Sequence, residues 1–144
     1  MKTVHKSVLI WYSAQEMFKL VTEVDKYPEF LPWCDRAAVI ERCDNGMKAQ
    51  MGISFGGIRQ TFTTRNTHIE GRQVKMQLVD GPFSQLDGMW TFQELQGERA
   101  CKVELDLSYS FDNVALATLV GPVFDKIAGN LVEAFVKRAE AVYG

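Results

Sequence analysis

Cys101, Val103, Leu105, Leu107, Tyr109 and Phe111 alternate with Lys102, Glu104, Asp106, Ser108 and Ser110. That is the mark of a strand with one face buried and one face wet. The same period of two recurs in Met47, Ala49, Met51, Ile53 and Phe55, in Val74, Met76 and Leu78, and in Leu86, Gly88, Trp90 and Phe92. Turn residues separate the runs: Asn45-Gly46, Gly56-Gly57, Glu70-Gly71, Gly81-Pro82 and Gln96-Gly97. The first two are hairpin signals, because their central residues tolerate positive φ. From Ala37 onward the chain therefore predicts six strands joined by short turns. Thr3 to Tyr12, rich in β-formers, predicts a first strand before them.

The period then changes. Leu116, Leu119, Val120, Val123, Phe124, Ile127, Leu131, Phe135, Ala139 and Val142 recur at steps of three and four, which predicts one long amphipathic helix from Val114 to Tyr143. Gly121-Pro122 predicts a kink or restart within it. Near the N-terminus, Ser13-Ala14-Gln15-Glu16 fits a capping box, with Tyr12 and Met17 in the staple positions. Pro28 suits the first position of a second short helical turn, which Pro32 ends. A strand, two short helices, six hairpin-linked strands and a long C-terminal helix make an α+β fold. A highly curved antiparallel sheet of about seven strands must bury its apolar face, and the long helix is the only element large enough to cover it. A cavity between the two is the expected residue of that packing.

Length and composition narrow the class. At 144 residues, 47% hydrophobic and 24% charged, the chain reads as one globular domain, residues 1–144. A net charge of −2 excludes a surface that is basic throughout, but not a local basic patch. Cys34, Cys43 and Cys101 are odd in number and form no CxxC pair, so they read as small buried thiols of a reducing compartment. The first residues lack a secretory apolar run, and no apolar run approaches a membrane span. A cytoplasmic protein is expected, with transient contact at the inner membrane and no DNA partner.

Catalytic constellations are scarce. His5 and His68 lie on different strands without metal-ligand spacing, and no phosphate loop or GxSxG occurs. Asp87 and Asp106 alternate onto the wet face, and Asp80 precedes a turn. No catalytic residue, metal or cofactor is expected. The excess lies elsewhere: six methionines, nine phenylalanines, four tyrosines and three tryptophans, many on inward faces. They suit a core and equally a deformable apolar pocket. Burying one isoprene unit of about five carbons would contribute roughly 3–4 kcal/mol before ordering costs. Gln60, Thr64 and Asn66 are the polar residues placed inward with Phe62. Val24 to Cys34 carries Tyr27, Phe30, Leu31 and Trp33 between two prolines, and must cover a core or line a site.

Tyr27-Pro28-Glu29-Phe30-Leu31-Pro32-Trp33-Cys34, Gly81-Pro82-Phe83 with Leu86, Trp90-Thr91-Phe92 and the closing Phe135 to Gly144 together resemble the START-like, helix-grip (Bet v 1-like) superfamily. Within it they resemble the branch that joins coenzyme Q-binding proteins to RatA ribosome-association toxins, often labelled polyketide cyclase-like. The resemblance implies a single START-like domain. It also implies non-catalytic binding of a hydrophobic ligand, with ubiquinone or another polyprenyl lipid leading, in support of respiration. The candidate ligand-binding residues are Tyr27, Phe30, Leu31, Trp33, Phe62, Phe83, Leu86, Trp90, Phe92, Tyr109, Val123, Phe124, Ile127 and Leu131. Val24–Cys34 and the Gly81–Leu86 loop would form the mouth. The alternative is a toxin that binds the large (50S) ribosomal subunit and blocks 70S formation. It would use basic residues drawn from Arg36, Arg42, Lys48, Arg59, Arg65, Arg72 and Lys75, with Arg59, Arg65 and Arg72 foremost. A cyclase with a polar acid or base inside the pocket is the lesser alternative.

Overall fold

The structure, a computed structural model, describes residues 1–55, 57–97 and 99–144, with the side chain of Phe55 outside that description. Strand β1 (Lys2–Ile10) stops where Ser13 opens helix α1 (Ala14–Thr22). The Ser13 hydroxyl accepts from the Glu16 amide at 3.1 Å, and the Glu16 carboxylate accepts from the Ser13 amide at 2.9 Å. The capping box therefore closes. Tyr12 and Met17 are buried in one core cluster.

A 3₁₀ turn follows at Val24–Glu29. Pro28 sits inside this turn and does not open it. Bonds at the ends of this turn are donated by Lys26, Phe30 and Leu31, none of them from position 28, where proline has no amide hydrogen.

The six hairpin-linked strands are β2 (Cys34–Cys43), β3 (Gly46–Phe55), β4 (Ile58–Ile69), β5 (Gln73–Asp80), β6 (Phe83–Glu94) and β7 (Cys101–Phe111). They form a meander, and β1 returns to pair with β7, giving the order β1-β7-β6-β5-β4-β3-β2. All neighbours run antiparallel. Register shifts interrupt β2 twice, the β4–β5 ladder once and β6 near its start. Such bulges bend and twist a strand, and they give the sheet its curvature.

Two turns depart from expectation. The β2–β3 hairpin turns on Asp44-Asn45, with Cys43 paired to Gly46, and no described non-glycine residue has positive φ. Gly46 is a strand residue whose absent side chain matters: a Cβ there would lie 1.9 Å from the Asn66 carbonyl oxygen. The glycine admits β4, not the turn. Of the Gly56-Gly57 signal, Gly56 lies outside the described residues, while Gly57 has φ 84°.

Helix α2 (Val114–Tyr143) has the predicted bounds and runs through Pro122 as one helix. The Asn113 side chain caps it by accepting from the Leu116 amide at 2.9 Å. By length and composition α2 could cross a membrane, yet Val120, Phe124, Ile127, Val132, Phe135 and Ala139 are buried inside the fold. Its first turns differ, with Val114 82% and Leu119 63% exposed. Two apolar clusters make the core. One joins α1, the 3₁₀ turn, the C-terminal half of α2 and one end of the sheet. The other joins Phe62, Phe83, Leu86, Leu107 and Tyr109 to the middle of α2.

Candidate functional site

A cavity of about 70 Å³ remains where the two clusters meet. Its lining includes Val24, Tyr27, Trp33, Ala49, Met51, Phe62, Thr64, Asn66, Met76, Leu86, Trp90, Leu107, Phe124, Ile127, Ala128, Leu131 and Phe135. Alternation places most of these: Met51, Phe62, Thr64, Asn66, Met76, Leu86, Trp90 and Leu107 are inward residues of β3 to β7. Helical spacing supplies Phe124, Ile127, Ala128, Leu131 and Phe135 from one stripe of α2. Of the ligand-binding candidates, Tyr27, Trp33, Phe62, Leu86, Trp90, Phe124, Ile127 and Leu131 reach this space.

The others do not line it. Leu31 is 0% exposed within the core. Phe30 and Val123 face an outer groove, where the Arg138 guanidinium lies 4.9 Å from the Phe30 ring. Phe83 packs on Phe62, Phe111 and Phe124 at centroid distances of 5.0 to 5.7 Å. Phe92 stacks beside Trp90 and meets Phe18 edge-on. Tyr109 packs edge-on to Phe124 at 4.6 Å and donates its hydroxyl to Asp125. The Gly81–Leu86 stretch is not a loop: from Phe83 it is already β6. Val24, Ala49, Met51, Thr64, Asn66, Met76, Leu107, Ala128 and Phe135 belong to the lining without having been among the ligand candidates. On the strands the signal was alternation, and for Phe135 it was the helical stripe; each marks a face but not which part of it stays uncovered.

The polar content of the wall is small. Thr64 and Asn66 are each 7% exposed, and the Thr64 hydroxyl donates to Asn66 Oδ1 at 2.8 Å. The Tyr27 hydroxyl donates to the Val21 carbonyl, and burial pushes it well above the usual phenol range. Gln60 is not part of the lining. Among the described residues no group of His, Cys, Asp and Glu is arranged to hold a metal. Two of the three thiols are buried, and burial raises both Cys34 and Cys101, the latter to about 11. Cys43 is exposed, contrary to expectation, because it ends the edge strand β2 at a hairpin.

The outer face of the sheet is divided by charge. Lys48 stands directly opposite Arg65, and Lys75 lies on the next strand opposite Thr67. Glu41 flanks Lys48 on the far side. Toward β6 and β7 the face turns acidic, with Asp87, Glu104 and Asp106. Lys48, Arg65 and Lys75 make no ion pair with another described residue. The three foremost arginines do not gather. Arg59 is bound to Asp35 at 2.7 Å, and it lies six residues, about 20 Å, along the strand from Arg65. Arg72 is exposed in the β4–β5 turn. Strand spacing separates these three, whereas cross-strand register brings Lys48 and Arg65 together.

A curved seven-stranded antiparallel sheet closed by one long helix, with an apolar cavity between them, defines a START-like, helix-grip protein. A START superfamily protein from Mycobacterium smegmatis superposes with a TM-score of 0.81 over 97% of this chain and 98% of that one, at 18% identity. The chain belongs to the polyketide cyclase / dehydrase and lipid transport family, whose model matches residues 10–136. It is 44% identical to the ribosome association toxin RatA of Vibrio cholerae serotype O1, over 100% of this chain and 99% of that one. It is 28% identical to the coenzyme Q-binding protein COQ10 homolog B of Xenopus laevis, over 96% of this chain and 58% of that protein.

Proposed function

We propose that this protein associates with the ribosome as a growth-inhibiting toxin, binding the large subunit and keeping it from joining the small one. The observation that carries this reading is the basic group Lys48, Arg65 and Lys75 on the outer sheet face. Like charges directly opposite on neighbouring strands are destabilising, and a phosphate backbone is the partner that turns them to use. The end-to-end likeness to RatA supports the same choice.

Adding the purified protein to dissociated subunits should prevent 70S formation in a sucrose gradient. The Lys48→Glu, Arg65→Glu double variant should restore it. Unchanged sedimentation with the unaltered protein removes this reading. Binding resting on about three phosphate contacts also weakens with salt, with a log–log slope of roughly −2 to −3.

A second reading, retention of a hydrophobic ligand such as a prenylated quinone, is favoured by the apolar cavity. Its volume weighs against it. About 70 Å³ is well below the roughly 300–1,000 Å³ of ordinary ligand pockets, so a polyprenyl chain requires α2 to part from the sheet. Solvent extraction of the purified protein and mass spectrometry tests it. A stoichiometric prenylquinone supports it, and its absence removes the quinone.

A further inference from the structure

We propose that Thr64 and Asn66 form a recognition point for a single hydrogen-bond acceptor, such as a carbonyl oxygen, on a compact uncharged apolar ligand in the cavity. The proposal rests on the ligand-binding reading above and goes beyond it by fixing the chemistry of the occupant. Residues 64 and 66 are two apart on β4, so both side chains point to the same face, and both line the cavity.

Each is more than nine-tenths buried. The Thr64 hydroxyl donates to Asn66 Oδ1, which engages the amide oxygen and leaves Nδ2 to find its own acceptor. No hydrogen bond joins Nδ2 to a described residue, and no fully enclosed side-chain nitrogen or oxygen among those residues lacks a partner, so Nδ2 reaches the open space of the cavity that Asn66 lines. Buried amide groups in folded proteins are nearly always paired, so a donor held this way in an otherwise aliphatic and aromatic wall is a binding feature. The nearby Tyr27 hydroxyl is already committed to Val21.

Charge is excluded by the same wall. No Lys, Arg or His is among the lining residues, so a carboxylate would lose its hydration without compensation. Size points to a small ring or the tip of a chain. Apolar cavities near 150 Å³ accept benzene, and the unbranched side chains of Met51 and Met76, both in the wall, can yield the difference.

The test compares cyclohexanone, methylcyclohexane and cyclohexanecarboxylate as probes, followed by amide and side-chain NMR of the whole protein. Cyclohexanone should shift the Asn66 side-chain amide resonances, and methylcyclohexane should bind without shifting them. Cyclohexanecarboxylate should not bind. Asn66→Leu should weaken cyclohexanone roughly tenfold while leaving methylcyclohexane unchanged or tighter. If neither neutral probe binds, the ligand-binding reading itself fails. If both bind but the Asn66 amide stays unshifted by the ketone, or the carboxylate binds as well, the assignment to Thr64 and Asn66 is overturned. The resonance measurement needs no variant, so a misfolded Asn66→Leu protein leaves the test decisive.

Discussion

Glu16 serves three partners. Its carboxylate accepts from the Ser13 amide at 2.9 Å and from Arg99 at 2.8 and 2.5 Å, while its carbonyl accepts from the Tyr143 hydroxyl at 2.9 Å. One residue thus ties the start of α1 to the β6–β7 connection and to the end of α2. The Arg99 hydrogen bond, more than any other contact, holds its pKa at about 2 against an ordinary 4.5. A depressed carboxyl contributes stability that is complete above pH 4.5 and lost as pH falls toward 2. Glu16→Gln keeps an acceptor for the capping box but carries no charge. Its urea-unfolding free energy should therefore fall less steeply than that of the unaltered protein between about pH 5 and pH 2; parallel slopes would show that Arg99 does not matter to folding. Ser13→Ala should cost about 1 kcal/mol in the same assay by removing the cap. Gly46→Ala should cost more, about 3 kcal/mol, since its Cβ meets backbone and not a flexible side chain. The capping box was legible because its residues are adjacent in sequence. The need for Gly46 was not, because it is set by the approach of Asn66 from the next strand.

At the scale of elements, the same contrast separates what the chain reveals from what it conceals. The bounds of α2 and the inward face of each strand follow from periods of 3.6 and 2, which are local properties. Which charges become neighbours depends on register, a non-local property that bulges shift by one residue. Arg59, Arg65 and Arg72 looked alike in the sequence, but only Arg65 stands against another cation. This geometry predicts opposite movements of stability and activity. Arg65→Glu replaces a like-charged cross-strand pair with an attractive one and should raise unfolding stability by about 0.5 kcal/mol. It should also weaken large-subunit binding, read by co-sedimentation, whereas Arg59→Glu should have a smaller effect because Asp35 already neutralises that site. A loss of binding and stability together would mean that the outer patch is structural.

The whole molecule places two surfaces on the two faces of one sheet. Strand β4 carries both: Arg65 faces outward between Thr64 and Asn66, which face the cavity. Strand β3 repeats the arrangement, with Lys48 outward between the buried Met47 and Ala49. A ligand that displaced these strands would act on both faces, but each strand is held by paired neighbours on either side, and the cavity is smaller than ordinary ligand pockets. The basic outer surface is therefore expected to work with the cavity filled. Ala49 tests this directly. It is buried, lines the cavity and pairs with Thr64 across the ladder. Ala49→Val adds two carbons of apolar volume in a strand that favours branched residues. Their burial is worth at most roughly 1.6 kcal/mol, so a gain of about 1 kcal/mol in unfolding free energy is expected after packing adjustments. Binding of small apolar probes should fall at least tenfold, because the added methyls take up most of the space. Inhibition of 70S formation should be unchanged in the sucrose gradient. Loss of inhibition in a variant that folds more stably would instead make the empty cavity part of the ribosome-binding mechanism, with β3 and β4 as the link between the two faces.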